Sequence, residues 1–325
     1  MICVNIKDSE FMKDFIFGVF CYNQENYIIE NLESIKYQIV NHGKDINCSI
    51  VIGDDCSKDR TLKYIKLWLY ENKNVFSHIK IIDSPSNKGV VGNYISLLKN
   101  IDTNNFKILA GDDLYYKNNI FSVLGDENIV ISPMLRFHEK KVIREQRYNL
   151  KKFMVISDKQ KYITNELKFN NCLESPGVFL DKRLFDEALY TELEKYKWIE
   201  DLPLFNYLFS NKKLKIGISY QPLVMYRDDV GISTNKKHVR NLEFEEERLL
   251  LEKTINVRKH NLLALRINKT KNSILKRLCK YYYDKFDADM ITFNNNMAKA
   301  ENEATEYLAL IRKNAEDFKT RRGLK

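Results

Sequence analysis

The 325-residue chain has no apolar run close to the ~18 residues that a membrane-spanning helix requires; its longest, Phe15 to Tyr22, is far shorter. Its first fifteen residues carry acids where a secretory leader would be basic and then apolar, so a cytoplasmic protein is expected. Glycine and proline are scarce, at 11 and 5. With 44% hydrophobic and 30% charged residues, this excludes collagen-like repeats and extended disorder. The six cysteines, at 3, 21, 48, 56, 172 and 279, form no Cys-x-x-Cys pair and read as reduced, structural thiols. The five histidines show no metal-ligand spacing. Neither a Walker A loop nor a Rossmann glycine fingerprint is present, which removes the commonest nucleotide sites.

What is present begins with charge. The formal net charge is +9, and residues 245–325 hold 18 Lys and Arg against 12 Asp and Glu, so most of the excess lies in the last quarter. Such a tail fits an anionic partner or simply a solvated helical face. Nucleic acid is not expected, because no recognised nucleic-acid fold surrounds these residues.

Between residues 15 and 113, apolar runs (FIFGVFCY, CSIVIGDD, HIKIID, FKILAGDD) alternate with amphipathic stretches such as ENYIIENLESIKYQI and TLKYIKLWLYENK. Runs of this length separated by helices predict a doubly wound α/β sheet whose parallel strands are covered on both faces. Residues 118–233 are mixed, with strands expected at NIVISPML, KKFMVIS, SPGVFL, KLKIGISY and PLVMYR, and helices near 182–195 and 201–209. After Pro222 there is no proline and only Gly231 and Gly323, so a helical C-terminal extension is expected. The division is 1–235, with a nucleotide-binding half at about 15–115 and an acceptor half at about 116–235, followed by a basic extension over 236–325.

In doubly wound sheets ligands gather beyond the carboxyl ends of the strands. Three strands here end in polar pairs: Tyr22-Asn23, Asp54-Asp55 and Asp112-Asp113. Asp54 and Asp55 run into a turn and a helix, which suits either hydrogen bonding to a nucleoside or plain helix capping. Asp112 and Asp113 follow Gly111, which allows close backbone approach, and paired hard oxygens suit Mg²⁺ or Mn²⁺ shared with substrate phosphates. A third pair, Glu200-Asp201, stands between bulky apolar residues at a helix start. Partial desolvation there would raise a carboxyl pKa toward the range of a general base, while N-terminal capping explains the same residues structurally.

Taken in order, Tyr22-Asn23 with Glu25, Gly53-Asp54-Asp55-Cys56-Ser57 with Asp59 and Thr61, Asn87-Lys88-Gly89, Asp112-Asp113, Glu200-Asp201 and Tyr226-Arg227 resemble glycosyltransferase family 2 over residues 15 to about 235. These are inverting enzymes of the GT-A fold, of the kind that builds bacterial cell-surface polysaccharide. The resemblance implies a Rossmann-like, doubly wound mixed sheet and a nucleotide-sugar donor, most often UDP-linked. Tyr22, Asn23, Glu25, Asp54 and Asp55 would hold the nucleotide, joined by Lys88, Gly89 and Arg227. Asp112 and Asp113 would stand for the Asp-x-Asp metal motif, binding Mn²⁺ or Mg²⁺, and Asp201, with Glu200 beside it, for the catalytic base. Ala110 stands where the family often has a further Asp, so ribose contact can pass to Asp112 with Asp113 on the metal, and that order stays open. Asp228-Asp229 replaces a His that relatives often carry, which adds Asp229 to the metal candidates.

The function expected is therefore metal-dependent transfer of a hexosyl or N-acetylhexosaminyl group to an acceptor hydroxyl in cell-envelope glycan synthesis. The acceptor would be a glycan or a lipid-linked sugar. A nucleotidyl or phosphoryl transferase and a non-catalytic sugar-binding scaffold are the alternatives. Residues 258–286 alternate apolar and basic side chains, which predicts a helix packed on the catalytic domain or on a second subunit of a homo-oligomer, or one lying peripherally on the inner face of a membrane.

Overall fold

The computed structural model describes residues 12–139, 141–143, 148–228, 230–231 and 242–324. The first half alternates strand and helix as the apolar runs require: β1 (Lys13–Cys21), α1 (Ile28–His42), β2 (Ile46–Asp54), α2 (Thr61–Asn72), β3 (His78–Asp83), α3 (Gly89–Leu98) and β4 (Asn105–Ala110). There follow β5 (Leu114–Tyr115), β6 (Ile129–Ile131), β7 (Met134–His138), β8 (Lys141–Ile143), α4 (Tyr148–Val155), α5 (Lys159–Leu167), β9 (Val178–Asp181), α6 (Glu187–Leu193), α7 (Asp201–Asn211), β10 (Ile216–Ile218) and β11 (Val224–Arg227). The C-terminal quarter is helical: α8 (Leu242–Thr254), α9 (Leu262–Leu278), a π-turn over Cys279–Tyr283, α10 (Asp284–Phe286) and the 34-residue α11 (Ala288–Arg321).

Seven strands form one sheet in the order β10-β6-β9-β4-β1-β2-β3, and β5-β11-β7-β8 form a second. The β4-β1-β2-β3 portion is parallel, while β9 runs antiparallel to both β4 and β6, so the sheet is mixed. Strand alternation divides the core. Phe15, Phe17 and Val19 pack with Ile28, Leu32 and Trp68 from α1 and α2, whereas Ile16 and Val51 pack with Val91 and Leu97 of α3 on the other face. Burial on both faces is why β1 and β2 read as unbroken apolar runs.

One expected strand is a helix. KKFMVIS lies largely in α4, where Leu150 and Phe153 recur at helical spacing and face the core. A short apolar run does not separate a strand from a buried helix by periodicity alone. NIVISPML is interrupted at Ser132-Pro133 and supplies β6 and β7 to different sheets.

The last helix is part of the fold's core. Its face Phe293, Met297, Ala300, Ala304, Leu308 and Ile311 is buried, and further along Ala315 and Phe318 join the cluster under α1 and α2. Two buried tyrosines pin it: Tyr307 donates to the carbonyl of Tyr115 (2.8 Å), and Tyr116 donates to that of Ala300 (3.0 Å). Among the described residues no helix is long and apolar enough to cross a membrane.

Candidate active site

The loops after β1 and β2 are stitched together by side chains. Ser57 Oγ accepts from Asn23 N (2.9 Å), Thr61 Oγ1 from Gln24 N (2.7 Å) and Asp59 from Glu25 N (3.0 Å). In return Asn23 Oδ1 accepts from Lys58 N (2.7 Å) and Glu25 from Arg60 N (2.8 Å). Asn23 and Cys56 both take positive φ, 52° and 65°, which lets the two turns face each other. Glu25 thus holds Arg60, with its carboxyl lowered by that contact, while Tyr22 stays 45% exposed at the strand end.

Behind this clasp both acids of the second motif are buried. Asp54 accepts from Ser57 N (2.9 Å). Asp55 accepts from the backbone N–H groups of Lys88 (2.8 Å) and Gly89 (2.9 Å), so it fixes the entry to α3, and burial raises its carboxyl above the usual range. The Lys88 side chain is left exposed at the sheet edge. Gly89 has φ +78°, and a Cβ there would lie 2.6 Å from the carbonyl of Lys197, which itself accepts from Val91 N (3.1 Å). The segment leading to Glu200-Asp201 is thereby pressed onto the N-terminus of α3.

The third motif follows β4. Gly111 N donates to the carbonyl of Phe20 (3.0 Å), and a Cβ on Gly111 would lie 2.4 Å from Gln24 Oε1. Asn31 Nδ2 holds the carbonyls of Ala110 (3.1 Å) and Asp113 (2.8 Å). Burial raises the carboxyls of both Asp112 and Asp113, and the charge of Asp112 raises Asp113 further. Arg227, only 4% exposed, is built into this loop: its N–H donates to Asp113 Oδ1 (2.8 Å), its Nε to the Asp112 carbonyl (2.8 Å), and its guanidinium pairs with Glu30 (2.7 Å).

The fourth motif opens α7. Asp201 accepts from Asn171 Nδ2 (2.6 Å) and from Leu202 N (2.7 Å), and burial raises its carboxyl. Burial, with the neighbouring charge of Asp201, pushes Glu200 up to about 8. The loop before the pair is held by the C-terminal region: Glu247 of α8 accepts from the N–H groups of Lys197 (2.7 Å), Trp198 (3.0 Å) and Ile199 (2.7 Å).

These pairs share one edge of the sheet. Cys21 pairs with Asp54 and Phe20 with Ala110, so the acids after β2 and β4 flank the end of β1. Lys107, one turn of strand before the third motif, links it to the fourth. Its ammonium donates to the carbonyls of Ser175 (3.0 Å) and Val178 (2.7 Å), and burial pushes it down to about 7 against the opposing pull of Asp113 and Glu200. Burial raises the hydroxyl of Tyr94, and the charges of Glu200 and Asp201, which lie near enough to act on it, raise it further.

All site residues named from sequence except one therefore fall in this region; Asp229 lies outside the described residues. Their commitments differ. Tyr22 and Lys88 present exposed side chains, whereas Glu25, Asp55 and Arg227 are engaged within the protein. Tyr115 and Tyr116, just after the third motif, are fully buried core residues. Sequence reasoning missed Lys107, Gln24, Asn171 and Glu247. A lysine inside an otherwise apolar central strand was a legible signal for the first; Asn171 and Glu247 reach the site only through tertiary contact.

Among the described residues no cluster of three or more His, Cys, Asp or Glu forms a ready metal site. The third motif nevertheless fits a hard cation. It offers two carboxylates that repel each other, and the buried amide oxygen of Gln24 beside Gly111 has no hydrogen-bond partner. Two protein carboxylates with remaining positions left to phosphate and water are usual for Mg²⁺ and Mn²⁺.

Comparison with known proteins agrees with this arrangement. Residues 17–171 match the model of Glycosyl transferase family 2. A stretch of 103 residues is 34% identical to the dTDP-rhamnosyl transferase RfbG of Shigella flexneri, covering 30% of this chain and 33% of that relative. The structure of TarS 1–349 of S. aureus in complex with UDP-GlcNAc is similar with a TM-score of 0.50 and 17% identity over 95% of this chain and 92% of that one. The same TarS fragment in complex with UDP superposes equally, again with 17% identity, a TM-score of 0.50 and coverage of 95% and 92%. At such identity the likeness is one of fold. Acid pairs gathered at one sheet edge, a GT-A-type mixed α/β fold and the sequence match together make residues 17–171 similar to Glycosyl transferase family 2, within a fold against which a helical C-terminal region packs.

Proposed function

We propose that the protein is an inverting glycosyltransferase that moves a hexosyl or N-acetylhexosaminyl group from a nucleoside-diphosphate sugar to an acceptor hydroxyl in bacterial cell-surface polysaccharide synthesis. The observation that carries this reading is the half-buried Glu200-Asp201 pair, with both carboxyls raised, held on the same sheet edge as Asp112 and Asp113. The named relatives support the donor class, one being a dTDP-rhamnosyl transferase and one a protein crystallised with UDP-GlcNAc. UDP-linked sugars are the first donors to test, dTDP-linked sugars the second.

Tyr22, exposed at the end of β1, would stack on the base, and the clasped loops around Asn23 would form the floor beneath it. Lys88 would meet the diphosphate from the start of α3. Asp112 and Asp113, with Gln24 beside them, would hold a divalent cation, which when bound offsets charge gathering on the departing diphosphate. Asp201 acts as base. Asn171 and the first N–H of α7 fix its orientation while it takes the acceptor's proton. The acceptor oxygen then forms a bond to the anomeric carbon as the bond from that carbon to the phosphate oxygen breaks, which inverts the configuration. The raised pKa of the pair supplies a base strong enough for an alcohol.

The test is a panel of UDP- and dTDP-sugars assayed for release of nucleoside diphosphate with the wild-type chain and Asp201→Asn. A placed base contributes about 10²–10⁴-fold, so the variant should lose turnover by that factor while donor binding persists. Normal turnover by Asp201→Asn removes the base assignment, and release of pyrophosphate in place of nucleoside diphosphate removes the reaction class.

A further inference from the structure

The helix α9 is attached to the protein by a thin seam and carries a second apolar stripe that is exposed and that none of the described residues covers. Its contacts with α4 and α5 run through Tyr162 and Asn272, which are hydrogen bonded (2.7 Å), and through Lys152, which donates to Asn272 (2.9 Å). Leu275 and the buried Cys279 continue that seam. Beside that seam Leu263, Ile267, Ile274 and Leu278 recur at intervals of four and seven residues, which puts them on one face. They are 70%, 61%, 54% and 45% exposed. The stripe continues into Tyr281 and Phe286, also exposed. No residue of α9 is buried, in contrast to α11, whose apolar face is wholly within the core.

Charge on the helix that carries this stripe is of one sign, with Asp158 of the facing groove wall the nearby acid. From Lys253 to Tyr283 the sequence has nine Lys and Arg and no Asp or Glu. Arg266, Lys269, Arg277 and Lys280 lie along one flank of the stripe by helical spacing, and Lys271 lies on the other. Among the described residues, no carboxylate pairs with Arg266, Lys269 or Arg277. A soluble helix end would normally intersperse both signs, and a dimer interface built on two copies of this face would bring like charges together. An apolar stripe flanked by cations with exposed aromatic residues at one end has the chemistry of a helix lying in a bilayer interface: apolar side chains enter the acyl boundary, and basic ones meet anionic headgroups. Between α5 and α9 there is also an open groove of about 810 Å³, to which Ile156, Tyr162, Ile267 and Ile274 contribute, and it continues the apolar face.

We propose that α9 and the aromatic segment after it dock the protein on an anionic membrane surface, the helix lying in the plane of the headgroups. This goes beyond the transfer reaction and stands apart from it, because binding is read without donor, acceptor or turnover. The test is co-sedimentation of the full chain with vesicles of phosphatidylcholine alone and of phosphatidylcholine with about a third phosphatidylglycerol, at low and high salt. Binding is expected only with the anionic vesicles and should fall steeply as salt rises. Replacing Arg266, Lys269 and Arg277 together by Gln should weaken it about 100-fold, at about fivefold per charge. Changing Ile267, Ile274 and Leu278 to Ser should abolish it; these side chains are exposed, and circular dichroism and a thermal melt check that the variants fold. Absence of binding to anionic vesicles overturns the proposal, as does equal binding to neutral ones. A lipid-free dimer in sedimentation velocity that the Ser variants dissolve overturns it in favour of a second copy of the chain.

Discussion

Glu200 gives the sharpest quantitative test of the site. Its carboxyl moves from 4.5 to about 8 on folding, first through burial and then through the charge of Asp201. Between those two values the folded chain keeps a proton that the unfolded chain has released, so stability falls as pH rises across that window. The contribution is intact below about 4.5 and fully lost above about 8. At ~1.4 kcal/mol per unit the gap corresponds to about 4–5 kcal/mol. Solvent at the partly exposed side chain screens a share of it, which leaves roughly 2 kcal/mol as the measurable effect. Glutamine stays neutral throughout, so Glu200→Gln should match the wild type near pH 5 and exceed its unfolding free energy by about 2 kcal/mol near pH 9. Urea denaturation followed by circular dichroism at steps across this range measures it. If the two proteins share one pH slope, Glu200 is not held neutral by its surroundings and the desolvated-pair account fails.

Other expectations follow from individual contacts. Asp113→Asn should remove the mutual repulsion within the third motif and weaken Mn²⁺ binding in calorimetry by at least tenfold, and an unchanged titration would detach the cation from this loop. Arg227→Met should cost about 2–3 kcal/mol in urea unfolding, because it removes the donors to the Asp112 carbonyl and leaves Glu30 with only the longer contact to Arg312 (3.5 Å), and adding Glu30→Gln should recover part of that loss; a loss under about 1 kcal/mol would mean the pair is dispensable. Glu247→Gln removes a charge-assisted acceptor shared by three successive N–H groups, with an expected cost of about 1.5–3 kcal/mol. The same change should lower the Glu200 titration, because the charge of Glu247 helps to raise it. A carboxyl ¹³C titration of Glu200 that does not move would leave Glu247 a purely structural brace.

Much of this protein was legible in its sequence because burial on both faces leaves a local trace. The unbroken apolar runs of β1, β2 and β4, each ending in polar residues, announced a doubly wound sheet and the edge where ligands gather. The absence of proline after Pro222 announced the helices that follow. The run KKFMVIS misled because seven residues are too few to separate period two from period 3.6 when most of them are apolar.

Which commitments those residues make was decided only by the tertiary structure. Arg227 is expected from sequence among the residues that hold the nucleotide; the parallel pairing of β11 with β7 carries it to the Asp112–Asp113 loop and Glu30, a set of partners the sequence does not show. Glu247 stands far along the chain from Lys197–Ile199, and no pattern foretells that its carboxylate would gather their N–H groups. Of two amphipathic helices in the last quarter, α11 enters the core and α9 keeps its apolar stripe outside. Sequence period specifies that a helix has an apolar face; what that face meets depends on how distant elements pack, and that is set by the whole chain at once.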